Sequence, residues 1–400
     1  MPPNASGGFL LNMIKLRVSI LFLVLVLLSI NAPTNQKVAP DSQPLTIPDA
    51  SLPPPLPASS ISKIDSLVQR VLTLNRFNGT ALVAIDGYPV AEYCNGYSDL
   101  NTKDTLNDNT VFQIASVSKS FTALSALILY ERGQLDLNGS VVDYIPEFPF
   151  PKITIKNLMQ HTSGLPNYMY FVDNYWAEDR PLTNEDVLQL LIEHVTNRDC
   201  HPGQRHNYSN TGYAMLALVV ERVSGKRFYD FVRDEIFNPL GMTNTFAWNA
   251  VDVENSRVAI GYASRYRGSR HNHSPLDEVL GDKSIYSTTH DLLKYDQALY
   301  TSLLVSDTTL QQAFSPTVTT RGRSYNYGYG WRLKDMDGHH VIYHNGLWNG
   351  FTSSLTRFPD QHMTIILLNN TNAHVASLVE QLYRITNREM EPQGMLASKR

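Results

Sequence analysis

The sequence predicts an α+β fold, with one sheet assembled from both ends of the folded region and a helical insertion between. Three observations carry this. Apolar, strand-like runs cluster at residues 79–93 and again at 327–369. Between them, apolar residues recur mainly at helical spacing. An Asp86-Gly87 pair separates the first two runs, a strong hairpin signal.

In chain order, residues 1–32 read as a secretory signal. Lys15 and Arg17 precede the apolar run 18–28, and the small Ala32 follows. That run falls short of the roughly 20 residues of a membrane span, with an uncleaved anchor as the alternative. Export would place the protein in the periplasm or outside the cell. Residues 33–58 hold eight of the 22 prolines and read as an extended linker. The folded domain is expected over 59–386, with a tail at 387–400. Ile61, Ile64, Leu67, Val68, Val71 and Leu72 mark its first helix, followed by strands at 79–85 and 88–93.

A long helix opens at Ser116, with Val117, Phe121, Leu124 and Ile128 as its buried stripe and Gly133 as its stop. Further helices are expected at 155–161, 184–194, 211–224 and 229–236. Another is capped within 286–291 and runs to Tyr300. Strands follow at 327–333, 340–344, 351–357 and 363–369, then a helix at 373–385.

A chain of 400 residues, 42% hydrophobic, can bury a large core. Its net charge of −4 and lack of a long basic run exclude nucleic acid as a partner. A small molecule or peptide is the expected substrate, and a monomer the expected state. Cys94 and Cys200 read as two buried free thiols, with pairing in an oxidising compartment as the alternative. Metal chemistry finds little support. Among 12 histidines the closest useful pair is His271 and His273, with Pro275 where a further ligand would be needed. No His-Glu-x-x-His, Gly-x-Ser-x-Gly or phosphate-binding loop is present.

Three short segments carry the chemistry. In Ser116-Val117-Ser118-Lys119 an amine sits one helical turn from a hydroxyl, on the same face. A serine oxygen needs such a base, and burial weakens a lysine's hold on its proton. Ser60-Ile61-Ser62-Lys63 has the same spacing but follows the linker, at a surface helix start. Tyr208-Ser209-Asn210 follows a Pro202-Gly203 turn and precedes a helix, so Tyr208 and Asn210 can face a cleft. A tyrosine near a cationic lysine can shuttle protons, and an asparagine can hold an amide. His344-Asn345-Gly346 ends a strand-like run, and its glycine admits a substrate backbone to the edge. The N–H groups of Leu347 and Ser116 are the candidate oxyanion donors.

These segments, in this order, resemble the serine β-lactamase and penicillin-binding-protein superfamily, specifically the class C β-lactamase-related serine hydrolases. The likeness extends through residues 112–122, the block 153–166 with His161-Thr162-Ser163-Gly164, residues 202–210, Asn238-Pro239-Leu240-Gly241-Met242 and residues 286–292. The resemblance implies a five-stranded antiparallel sheet flanked by helices, plus a mostly helical lobe. It implies Ser116 as nucleophile, Lys119 and Tyr208 as the proton-transfer pair, a hydrolysable acyl-enzyme, and no metal or organic cofactor. One departure matters. Members that hydrolyse β-lactams well usually carry Lys-Thr-Gly where this chain has His344-Asn345-Gly346. A histidine there would be only partly charged at neutral pH. That favours an esterase, or a peptidase for D-amino-acid peptides, over an efficient β-lactamase. A non-catalytic sensor of cell-wall peptide or penicillin is the rival reading, and a metal-dependent hydrolase the third.

Overall fold

The computed structural model describes residues 54–195, 201–263, 269–271 and 274–390. All of them fall within the unit Pro44–Arg400. The signal and most of the linker lie outside the described residues, as do Cys200 and the last ten positions. No described helix is long and apolar enough to cross a membrane. The elements used below are, in chain order, α1 (Ala58–Leu74), β1 (Gly79–Ile85), β2 (Tyr88–Asn95), α2 (Ser118–Glu131), α3 (Asn184–His194) and α4 (Asn210–Ser224). They continue with α5 (Thr289–Ala298), β3 (Arg332–Met336), β4 (His339–Trp348), β5 (Phe351–Phe358), β6 (Met363–Asn369) and α6 (Val375–Met390).

The sheet order is β3-β4-β5-β6-β1-β2, and every pair is antiparallel. The α+β expectation therefore holds, with six strands where the resemblance implied five. Strand β1 closes the sheet against β6, with Gly79 opposite Asn369 and Ile85 opposite Met363. Three tight hairpins set the register: Asp86-Gly87, Asp337-Gly338 and Asn349-Gly350 all take positive φ at both positions. That is the type I′ geometry matching the strands' own twist.

Both faces of the sheet are covered, and the period of two is visible in the core. Val83, Ile85, Ile365 and Leu367 join Ile64 and Leu72 of α1 and Leu382 of α6 in one apolar layer. Leu82, Ala84, Ile366 and Leu368 point the other way, into a core with Phe121, Leu124 and Tyr213. On this second face, Asp296 of α5 is tied to Arg357 of β5 and, at 2.6 Å, to Thr364 of β6, with both charges buried.

The expected stripe on the Ser116 helix is wider than predicted. Every residue from Ser118 to Leu129 is buried, because α2 runs through the middle of the domain. A short 3₁₀ turn, Ala115–Val117, precedes it. The strand expected at 327–333 begins only at Arg332. Tyr327 instead bridges to Arg332, and the intervening turn packs Gly330 against α2. The last helix continues to Met390, past the expected domain end at 386. Cys94 is a free thiol, and it is exposed, correcting the expected burial; on β2 it alternates with the inward Tyr93.

Candidate active site

The turn before Ser116 is held from two sides. Ile114 N–H donates to the Ile285 carbonyl at 2.9 Å, and Ser353 Oγ donates to the Ile114 carbonyl at 2.6 Å. Ala115 then takes φ 48°, a strained value for a residue with a Cβ. Half-buried Ser116 is displayed on this turn. The segment Gly281–Ile285 clamps the start of α2: Thr122 Oγ1 reaches the Gly281 carbonyl at 2.7 Å, and Ile285 N–H reaches Ser118 Oγ at 3.0 Å.

Lys119 lies one turn on and is fully buried. Its Nζ is 3.1 Å from Ser116 Oγ and 2.7 Å from the Asp282 carbonyl oxygen. It also lies 4.9 Å from the centre of the Tyr208 ring. The three residues singled out by motif thus meet in one place. Ser60 and Lys63 do not join them; Lys63 pairs with Glu389 on the surface.

Tyr208 sits on a loop pinned to His161. Asn207 N–H donates to the His161 carbonyl at 2.7 Å, and Ser209 N–H donates to His161 Nδ1 at 3.2 Å. The helix expected to reach His161 stops at Met159, because His161 takes φ 55° and turns inward. Its ring packs 4.2 Å from that of Tyr208. Asn210 opens α4 and turns its amide to Met169 Sδ at 3.1 Å.

Strand β4 brings Gly346 against the Ser116 turn. A Cβ at Gly346 would stand 2.3 Å from the Ile114 carbonyl oxygen, so only glycine fits. Trp348 and Phe351 flank the two-residue hairpin, so the alternation of the ladder turns the backbone groups of Leu347 and Asn345 away from β5. Strand β3 ends its pairing at Tyr343, leaving that edge free beside Ser116. Exposed Leu347 and half-buried Asn345 lie along it.

His344 differs from expectation. Its ring is fully buried, with Nδ1 2.8 Å from the Asn345 carbonyl oxygen and Nε2 3.2 Å from Tyr327 Oη. Burial holds its pKa well below the usual value, and the charges of Lys119 and Arg332 add to this. The expected partial charge is therefore absent at neutral pH. His161 is held neutral by burial and then by Lys119 in the same way.

Several neighbours were not singled out from sequence. Asp282, Lys283 and Tyr168 form a buried cluster behind Lys119, with Lys283 Nζ 3.2 Å from Asp282 Oδ1 and Tyr168 Oη 3.1 Å from Asp282 Oδ2. Burial pushes the Lys283 pKa down and that of Tyr168 well up. Adjacent opposite charges inside an apolar stretch were the available signal. Tyr327 and Arg332 had none beyond their place before β4. The Arg332 guanidinium lies 5.3 Å from the Tyr208 ring centre and makes no ion pair among the described residues.

A profile of the β-lactamase family matches residues 64–388, and the chain belongs to that family. Penicillin-binding protein 4* of Bacillus subtilis is 33% identical over 322 residues, covering 77% of this chain and 71% of that protein. The solved structure of a penicillin-binding protein from Bacillus halodurans matches with a TM-score of 0.71 at 27% identity, covering 80% of this chain and 98% of that one. A D-amino acid amidase from Ochrobactrum anthropi SV3 shares the fold, with a TM-score of 0.70 at 22% identity, covering 84% and 100% of the two chains.

Proposed function

We propose that this chain is an exported serine hydrolase that cleaves an ester or amide through an acyl-Ser116 intermediate. The observation that carries the reading is the buried Lys119 amine, 3.1 Å from Ser116 Oγ and 4.9 Å from the Tyr208 ring centre. Ser116 Oγ attacks the substrate carbonyl carbon, and its proton passes to the Lys119 and Tyr208 pair. The carbonyl oxygen takes up negative charge against the N–H groups of Ser116 and Leu347. The carbon–oxygen or carbon–nitrogen bond then breaks, and the leaving group departs with the proton. Water attacks the acyl carbon, gives its proton to the same pair, and releases Ser116. Asn210 and Asn345 hold the substrate's amide groups along the free edge.

With His344 neutral and Lys119 engaged at Ser116, the further cation at the site without a carboxylate partner, among the described residues, is Arg332, on β3 opposite Tyr343 where the free edge begins. This supports a small substrate that carries its own carboxylate, such as a peptide ending in a D-amino acid, over an uncharged ester. It also supports weak rather than efficient β-lactam hydrolysis. The test is a panel of p-nitrophenyl esters, D-Ala-D-Ala peptides and nitrocefin with wild type and Ser116→Ala. Turnover that disappears in Ser116→Ala, with the fold intact, is expected; retained turnover sinks the reading. The similarity to a penicillin-binding protein keeps a second reading in view, a cell-wall sensor that binds without turning over. Mass spectrometry showing a lasting penicillin adduct on Ser116, with no substrate consumed, would favour it.

A further inference from the structure

Behind Tyr208 runs a chain of hydrogen bonds whose direction is set by two backbone groups. At one end, Ser209 N–H can only donate, so His161 Nδ1 is bare and its Nε2 carries the ring proton. At the other end, the Asn345 carbonyl can only accept, so His344 carries its proton on Nδ1 and leaves Nε2 bare. The Tyr327 hydroxyl stands between the two ε nitrogens, 3.0 Å from His161 and 3.2 Å from His344. It accepts from the first and donates to the second.

We propose that Tyr327 is a positioning residue: its hydroxyl couples the backbone beside Tyr208 to the backbone beside Gly346, holding the proton-transfer loop in register with the substrate edge. The linked segments are far apart in sequence, and Tyr327 is itself anchored. Its carbonyl accepts from Thr317 N–H at 2.9 Å and from Thr317 Oγ1 at 2.6 Å. Tyr208 packs directly on the chain, against His161 and 6.4 Å from the His344 ring. Tyr327 is buried and acts through its neighbours, not on the reacting atoms.

The chain is complete only while both imidazoles are neutral. A proton on His161 Nδ1 would face the Ser209 N–H. A proton on His344 Nε2 would aim a second donor at the Tyr327 oxygen. Burial opposes both, as do the facing charges of Lys119 and Arg332. His206 also faces His161, and burial lowers its pKa too. Of the remaining ring neighbours, Tyr213 gives its proton to the Met159 carbonyl at 2.7 Å, and its oxygen also faces the Tyr327 hydroxyl, where it competes with His344 Nε2 as acceptor.

The experiment is nitrogen NMR of the full chain with labelled histidine at pH 7.5, in wild type and Tyr327→Phe, followed by kinetics. Wild type should show His161 protonated on Nε2 and His344 protonated on Nδ1. The variant keeps the ring but removes the hydroxyl. Its His344 Nε2 should shift to the position of a nitrogen with no donor, while kcat falls about tenfold, the size of one lost hydrogen bond, and KM stays within about twofold. The kinetic arm rests on the acyl-Ser116 reading; the spectroscopic arm does not, so the two fail separately. Wild-type His344 protonated on Nε2 would overturn the proposal, even if the variant did not fold. So would ring-nitrogen signals left unchanged by Tyr327→Phe.

Discussion

Lys119 Nζ donates to the Asp282 backbone carbonyl at 2.7 Å, across 163 positions of sequence. The amine beside Ser116 is therefore aimed by a residue whose carboxylate is engaged elsewhere, with Lys283 and Tyr168. Asp282 and Lys283 are both buried, so neither charge has water to fall back on. Replacing Lys283 with Met should cost about 3–5 kcal/mol in urea unfolding, because a buried carboxylate loses its partner. The double variant with Asp282→Asn should recover part of that loss. A single variant that unfolds within about 1 kcal/mol of wild type would show that the cluster does not brace this segment.

Gly346 is the contact between the free strand edge and the nucleophile turn. An added methyl would stand 2.3 Å from the Ile114 carbonyl and 2.9 Å from Ala115 Cβ, and the first of these is backbone. Gly346→Ala should therefore destabilise by about 1–3 kcal/mol, the usual cost of overpacking. It should also lower turnover more than it lowers the melting temperature suggests, since the displaced turn carries Ser116. Wild-type kcat in this variant would rule out a tight fit between the two.

Arg332 gives a prediction about selectivity. Its guanidinium lies 5.3 Å from the Tyr208 ring centre and 5.9 Å from that of Tyr327. A charge-assisted hydrogen bond to a substrate carboxylate is worth roughly 1.5–3 kcal/mol. Arg332→Gln should then lower kcat/KM by about 10–100-fold for a peptide with a free terminal carboxylate. The same peptide with that group amidated should lose less than about threefold. Equal losses on both would assign Arg332 to packing on Tyr208 instead.

How much of this was legible follows from the range of each interaction. Strands β1, β5 and β6 and the bounds of α3 could be read because alternation, periodicity and capping are local. Ser116 and Lys119 were legible because one helical turn fixes their distance. Tyr208 was legible only through its motif; what holds it, His161, comes from a segment about 50 residues away and needed the fold. His344 was found but its state was misjudged. Sequence gives a histidine's ordinary pKa, whereas burial and the nearby cations are tertiary facts. Asp282 reaches Lys119 through a backbone carbonyl, which no residue type announces.

The neutral histidines also predict how stability varies with pH. His161 and His344 are held well below their ordinary value in the fold, but both titrate near 6.5 once unfolded. Below that pH the unfolded chain takes up protons that the folded chain refuses. Their contribution is therefore fully present above about pH 6.5 and is lost as pH falls toward the folded values, by up to about 1.4 kcal/mol per pH unit for each ring. His206, lowered by burial, works in the same direction. His290 opposes them, since Glu92 raises its pKa, but that pair is substantially exposed and so weakened by solvent. Urea midpoints should fall steadily between pH 7.5 and 5.5, before most carboxylates titrate. A midpoint that stays flat across that interval would mean that both rings accept their protons inside the fold.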